Sequence, residues 1–164
     1  MSTKNLQHLL SNCPSRKSLT LLIGVSHLGD KDCKIIELFE CLPMIERLTT
    51  YGYVIEWLVL DSIKCSPKLE KIKLEIDWEH ECSEEYPVVW EEYSDVWLEH
   101  LNELEIECFS NSKPEMEFVK FILARSPKLK KVNIISTLEG SQESEMLKTL
   151  LQAPRASPVM IIVT

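Results

Sequence analysis

Apolar side chains recur along the chain in one frame, apolar-x-x-apolar-x-apolar. It is occupied by Ile45 and Leu48; by Leu69, Ile72 and Leu74; by Leu101, Leu104 and Ile106; and by Leu129, Val132 and Ile134. Residues two apart share one face of an extended chain, so each copy predicts a short strand with an apolar side and a polar side. Leu19 and Leu21 start the pattern, Ile76 prolongs the third copy and Cys108 the fourth. Stretches of helical character precede the strands and close on Pro14, Pro43, Pro67, Pro127 and Pro154, because proline cannot continue a helix. Helical spacing is read over Asp30–Leu42 (Ile35, Leu38, Phe39, Leu42), Pro114–Ser126 (Met116, Val119, Ile122, Leu123) and Ser144–Gln152 (Met146, Leu147, Leu150, Leu151). Tyr53–Lys64 fits a helix or a strand. SPVMIIVT, apolar on both sides and β-branched, reads as a buried final strand.

The frame is a repeat. From Ile45 to Leu69 it steps 24 residues, from Leu69 to Leu101 32, and from Leu101 to Leu129 28. These steps lie near the roughly 20 to 29 of leucine-rich repeats, and an acidic insertion over 79–95 accounts for the long one. The near-identical stretches CSPKLEKIKLEI from Cys65 and RSPKLKKVNIIS from Arg125 are thus the strands of two coils. Strand, crossover helix and strand in succession predict an α/β fold, a leucine-rich-repeat-like solenoid with parallel strands on one face and helices on the other. LQHLLSNCP reads as the tail of a coil, which leaves the first edge to a preceding segment or a partner. TLEGSQESE, Thr137 to Glu145, reads as a polar connection.

Composition places 164 residues, 45% apolar and 27% charged, in one ordinary globular unit able to bury roughly two-thirds of its unfolded surface. Charge refines that picture. The net charge is −8, and thirteen of the 26 carboxylates lie between Leu74 and Ser112, a span without any Lys or Arg. Such a block repels phosphate backbones, so a nucleic-acid partner is not expected. A solvated face is the plainer reading of the block, and a docking surface for a basic partner the sharper one. Six scattered cysteines without a CxxC, no secretory leader and no long apolar run predict a reduced, intracellular setting, cytoplasmic or nuclear, with no membrane partner.

Chemistry is hard to find. GxGxxG, P-loop, GxSxG and HExxH motifs are all missing, and the four glycines do not cluster. His80 and Cys82, with His100 and Cys108, form one close-spaced ligand pair where structural zinc sites use two, so a loop histidine beside a cysteine is preferred. Cys33 with His27 has no activating group nearby in sequence, and Glu91 and Glu92 in an exposed loop stay ionised. No catalytic, cofactor or metal site is therefore expected. Trp57 and Trp97 are assigned to the core. Trp78, Glu84, Glu85, Tyr86, Trp90, Glu91, Glu92 and Tyr93, in and beside the acidic insertion, are the candidate partner-binding residues, their aromatics serving as exposed anchors.

The portion DVWLEHLNELEIECFSNSKPEMEFVKFILARSPKLKKVNI, followed by LLQAPRASPVMIIV, resembles the FBD domain that closes many plant F-box proteins with leucine-rich repeats. DKDCKIIELFECLPMIERLTTYGY is similar to the repeats that precede it there. The resemblance divides the chain into repeat-like coils over 1–94 and an FBD-like domain over 95–164 that caps the array with a helix-strand unit. It implies a non-catalytic, substrate-recognising part of an F-box ubiquitin-ligase receptor. An F-box with its Leu-Pro opening is not found in these residues, so binding to a Skp-type adaptor is not expected. The alternative is an independent regulatory or decoy protein that binds through the acidic insertion. The identity of a protein target is not legible.

Overall fold

The computed structural model describes residues 17–22, 44–51, 63, 66–76 and 93–164. They form an α/β arrangement around one parallel sheet. The strands are β1 (Ser18–Leu22), β2 (Arg47–Tyr51), β3 (Lys71–Glu75), β4 (Glu103–Phe109), β5 (Lys131–Ser136) and β6 (Met160–Val163). Their spatial order is their chain order, and every neighbouring pair is parallel. Helix α1 (Lys113–Arg125) joins β4 to β5, and α2 (Ser141–Gln152) joins β5 to β6.

The repeat frame sets the register. Leu48 stands beside Ile72, Ile72 beside Leu104, Leu104 beside Val132 and Val132 beside Ile161. One pleat further on, Thr50, Leu74, Ile106, Ile134 and Val163 form a second row. Ahead of the strands Ile45, Leu69, Leu101 and Leu129 are each at most 2% exposed. These rows join Phe118, Val119, Ile122 and Leu123 of α1 and Met146 and Leu150 of α2 in one core. Each fully buried aliphatic side chain contributes roughly 1.5–3 kcal/mol. The intervening strand residues are half-buried or exposed. Parallel sheets covered on both faces show continuous apolar runs; this one alternates, and among the described residues helices pack on only one side.

The twin stretches now have a physical explanation. Leu69 N donates to Ser66 O, and Leu129 N to Ser126 O, closing equivalent turns with Pro67 and Pro127 at the second position, where a fixed φ is favoured. Leu101 N to Leu98 O makes the same turn without proline. A backbone ladder stitches successive turns. Lys17 O accepts from Glu46 N and Arg47 N, Glu46 O from Glu70 N and Lys71 N, Glu70 O from Asn102 N and Glu103 N, and Asn102 O from Lys130 N and Lys131 N.

Between β4 and α1 the chain kinks. The β4–β5 register shifts between Ile106 and Phe109, and Cys108 and Asn111 take positive φ values of 59° and 64°. Glu115, only 5% exposed, ties this corner down. Its Oε2 accepts from Ser110 N (3.1 Å), Ser110 Oγ (3.0 Å) and Ser112 N (2.9 Å), so the carboxylate caps the helix start.

Several expectations need correction. β6 is an edge strand among the described residues, half-exposed with Met160 64% exposed, rather than a buried one. α2 starts at Ser141, inside the stretch read as a polar connection, and buries Met146 and Leu150 while Leu151 is 56% exposed. α1 also buries Phe118, which the helical spacing had not included. Trp97, assigned to the core, is 53% exposed, its indole stacked on Arg125. The Asp30–Leu42 helix and Trp57 lie outside the described residues, as does nearly all of Tyr53–Lys64; Ile63 within it is helical and buried.

Candidate protein-interaction surface

Polar positions of the strands assemble the outward face of the sheet. β3 reads K-I-K-L-E and β4 E-L-E-I-E, and their in-register pairing puts Lys71 and Lys73 beside Glu103 and Glu105. Lys71 Nζ lies 3.3 Å from Glu103 and 3.4 Å from Glu105; Lys73 Nζ lies 2.9 Å from Glu105 and also bonds Glu107. Lys131 on β5 reaches Glu103 from the other side at 3.8 Å. The result is a zigzag ladder across three strands. Hydrogen bonds to Glu107 and then Glu105 push the Lys73 ammonium well above its ordinary range. Lys73, against the opposing cost of burial and with help from Lys71, holds the Glu105 carboxyl below the usual range. Both groups stay charged at neutral pH, so the ladder is a fixed, internally neutralised surface rather than a proton donor.

Around the ladder the face changes character. β2 presents Arg47, Thr49 and Tyr51, and β5 and β6 present Asn133, Ile135, Met160 and Ile162. Ile135 and Met160 are 37% and 64% exposed. A paired-charge centre thus grades into an apolar edge.

Of the residues singled out in the sequence, Trp78, Glu84, Glu85, Tyr86, Trp90, Glu91 and Glu92 lie outside the described residues. Tyr93 is 6% exposed and packs in the core, so it is not an exposed anchor. His80, Cys82, Cys33 and His27 also lie outside. His100 and Cys108 stand at opposite ends of β4, and among the described residues no three His, Cys, Asp or Glu side chains are grouped to hold a metal. No helix among the described residues is long and apolar enough to cross a membrane. Sequence reasoning missed the ladder, treating Glu103, Glu105 and Glu107 as part of an unbroken acidic run. The repeat frame carried the missing signal, since aligning KIKLE with ELEIE stacks lysines on glutamates.

No curated protein matches the chain. Residues 97–134 match the FBD family model, a span that starts at Trp97 in the turn before β4, contains all of β4 and α1, and ends at Ile134 within β5.

Proposed function

We propose that this chain is a non-catalytic protein-recognition module of the F-box-associated type, an intracellular leucine-rich-repeat-like solenoid whose outward sheet face presents a target protein for ubiquitylation. The observation that carries the reading is the FBD match over residues 97–134. Supporting it are the frame-spaced strands, stacked in chain order in one parallel sheet, and a sheet face on which no helix packs among the described residues. Stacked coils of this kind characteristically offer extended binding surfaces. Recognition belongs to the outward face in this reading, with the ion-pair ladder holding its centre rigid and Arg47, Tyr51, Ile135 and Ile162 available around it.

Fusion of the chain to a Skp-type adaptor supplies the test. Cells expressing the fusion should gain a defined set of ubiquitin-modified proteins, read by mass spectrometry of ubiquitin-remnant peptides, relative to adaptor alone. Arg47→Glu combined with Ile162→Asp should erase that set while the far-ultraviolet circular dichroism stays unchanged. A fusion indistinguishable from the adaptor alone contradicts the reading. The unfused chain is expected not to capture purified Skp-type adaptor in a pull-down, and direct capture would overturn that expectation.

A further inference from the structure

The turns ahead of β4, β5 and β6 meet along one rim of the sheet. Leu98 N donates to Arg125 O (2.9 Å), Lys130 N to Asn102 O (2.9 Å), and Ser157 Oγ to Ser126 O and Leu129 O (3.1 and 2.9 Å). A shallow open depression lies between them, with Pro127, Lys128, Lys130 and Pro158 on its walls. All four of these residues are exposed. Two residues before Pro127, the Arg125 guanidinium stacks on exposed Trp97 at 5.3 Å from the ring centroid. Among the described residues no carboxylate forms an ion pair with Arg125, Lys128 or Lys130. A cationic and apolar rim therefore stands on a protein whose net charge is −8.

The fold does not demand this charge. The earlier copy of the same turn, over 65–70, meets the structural requirement with the same Ser-Pro-Lys-Leu, yet Cys65 stands where the later copy has Arg125 and Glu70 where it has Lys130. Ser66, Ser126, Leu69 and Leu129 are buried in both copies, whereas the differing 70 and 130 positions are exposed. At position 130 the extra positive charge stands where solvent, or a partner, meets it, while Arg125 is half-buried against Trp97.

We propose that this rim is a docking site for an acidic, extended peptide segment of a partner protein, with carboxylates over Lys128 and Lys130 and apolar side chains against Pro127, Pro158 and Trp97. It rests on the reading of the chain as a protein-binding module and names the chemistry of what is bound. Charge complementarity selects the partner, and the proline rings and indole supply rigid apolar area at little entropic cost.

Selection of a random-peptide phage library on the full chain tests it. Selected peptides should be rich in Asp and Glu beside proline or aliphatic residues. A synthetic copy of the consensus should bind about tenfold more weakly to the Lys128→Glu/Lys130→Glu variant, and several-fold more weakly to Trp97→Ala, by fluorescence anisotropy. Its affinity should also fall with added salt. Should the charge reversal shift the melting curve, the Lys128→Gln/Lys130→Gln pair replaces it. The proposal is overturned by a selection without acidic consensus, or by acidic peptides that bind the variants as well as the native chain. Vesicles of equal parts phosphatidylserine and phosphatidylcholine form a second arm. Lysine-dependent vesicle binding without peptide selection would assign the rim to a lipid surface and equally overturn the proposal. If the adaptor fusion still recruits targets while selection fails, the rim proposal alone falls; the converse outcome sinks the ligase reading alone.

Discussion

Glu115 shows how one side chain fixes a corner. Three donors converge on its Oε2, while its Oε1 is buried without a hydrogen-bond partner. Burial pushes its pKa up, and the bonds from Ser112 and Ser110 only partly pull it back. A carboxyl whose folded pKa is raised contributes most below its unfolded pKa, and that contribution is lost as pH rises through the folded value. Glu115→Gln keeps an acceptor oxygen and removes the titration. The melting temperature of this variant relative to the native chain should therefore rise as pH is raised from about 4 to about 7. A difference that does not move with pH contradicts the assignment. Glu115→Ala strands the Ser110 and Ser112 donors and should cost about 1–3 kcal/mol in urea unfolding. At the same scale, Trp97 was illegible in the sequence. Size and hydrophobicity argue for burial, and only the position of Arg125, delivered by the end of α1, turns the indole outward into a cation–π contact of about 0.5–1 kcal/mol.

Between elements, the β3–β4 seam unites an apolar row with a charged one. Lys73 links Glu105 and Glu107, so Lys73→Ala leaves two carboxylates as neighbours on one strand with a single lysine beside them. These groups are only partly shielded, and the expected loss is about 1 kcal/mol at low salt. A double-mutant cycle with Glu105→Ala, followed by denaturant unfolding, should return a coupling that shrinks as salt is added. The sign with pH is opposite to that of Glu115. Glu105 is held below the usual carboxylate range, so its stabilisation is present above that range and fades as pH falls through the folded value. A coupling insensitive to both salt and acid would show that the ladder is geometric coincidence. The helical elements were legible to within a few residues where amphipathic spacing was strong. α1 was read from Pro114 and begins at Lys113. The start of α2 was not, because its first turn, Ser141–Ser144, carries no apolar residue to reveal the period, and Gly140 at φ 60° makes the turn into it.

For the whole molecule, continuity is the governing fact. The sheet runs through all six described strands, and inward residues from strands and helices belong to one cluster. A defect beside one strand should therefore be felt by its neighbours. Leu129, 1% exposed, precedes β5 and packs within that shared cluster. Leu129→Asp would bury a charge without a counter-charge and should remove more than about 4 kcal/mol. Circular dichroism should show one lowered transition or an unfolded chain; a native melting curve would refute the stacked arrangement. The edge strands make the converse point. β6 was read as buried from its unbroken apolar run, yet among the described residues it lies at the sheet's margin, where the same residues are half-exposed.

The sequence by itself determined the repeat frame, the identity of the inward rows and the proline-bearing turns. Each of these follows from short-range periodicity and local backbone constraint, which each segment expresses independently of its neighbours. Tertiary structure alone decided which charges meet. Lys73 and Glu105 are 32 residues apart in sequence and become partners only because β3 and β4 pair in register. It also decided that Tyr93 turns inward and Trp97 outward, and that Lys128 and Lys130 share a rim with Pro158. Electrostatic pairing and exposure depend on what the neighbouring strand places alongside, and that information is spread over segments of chain distant from one another.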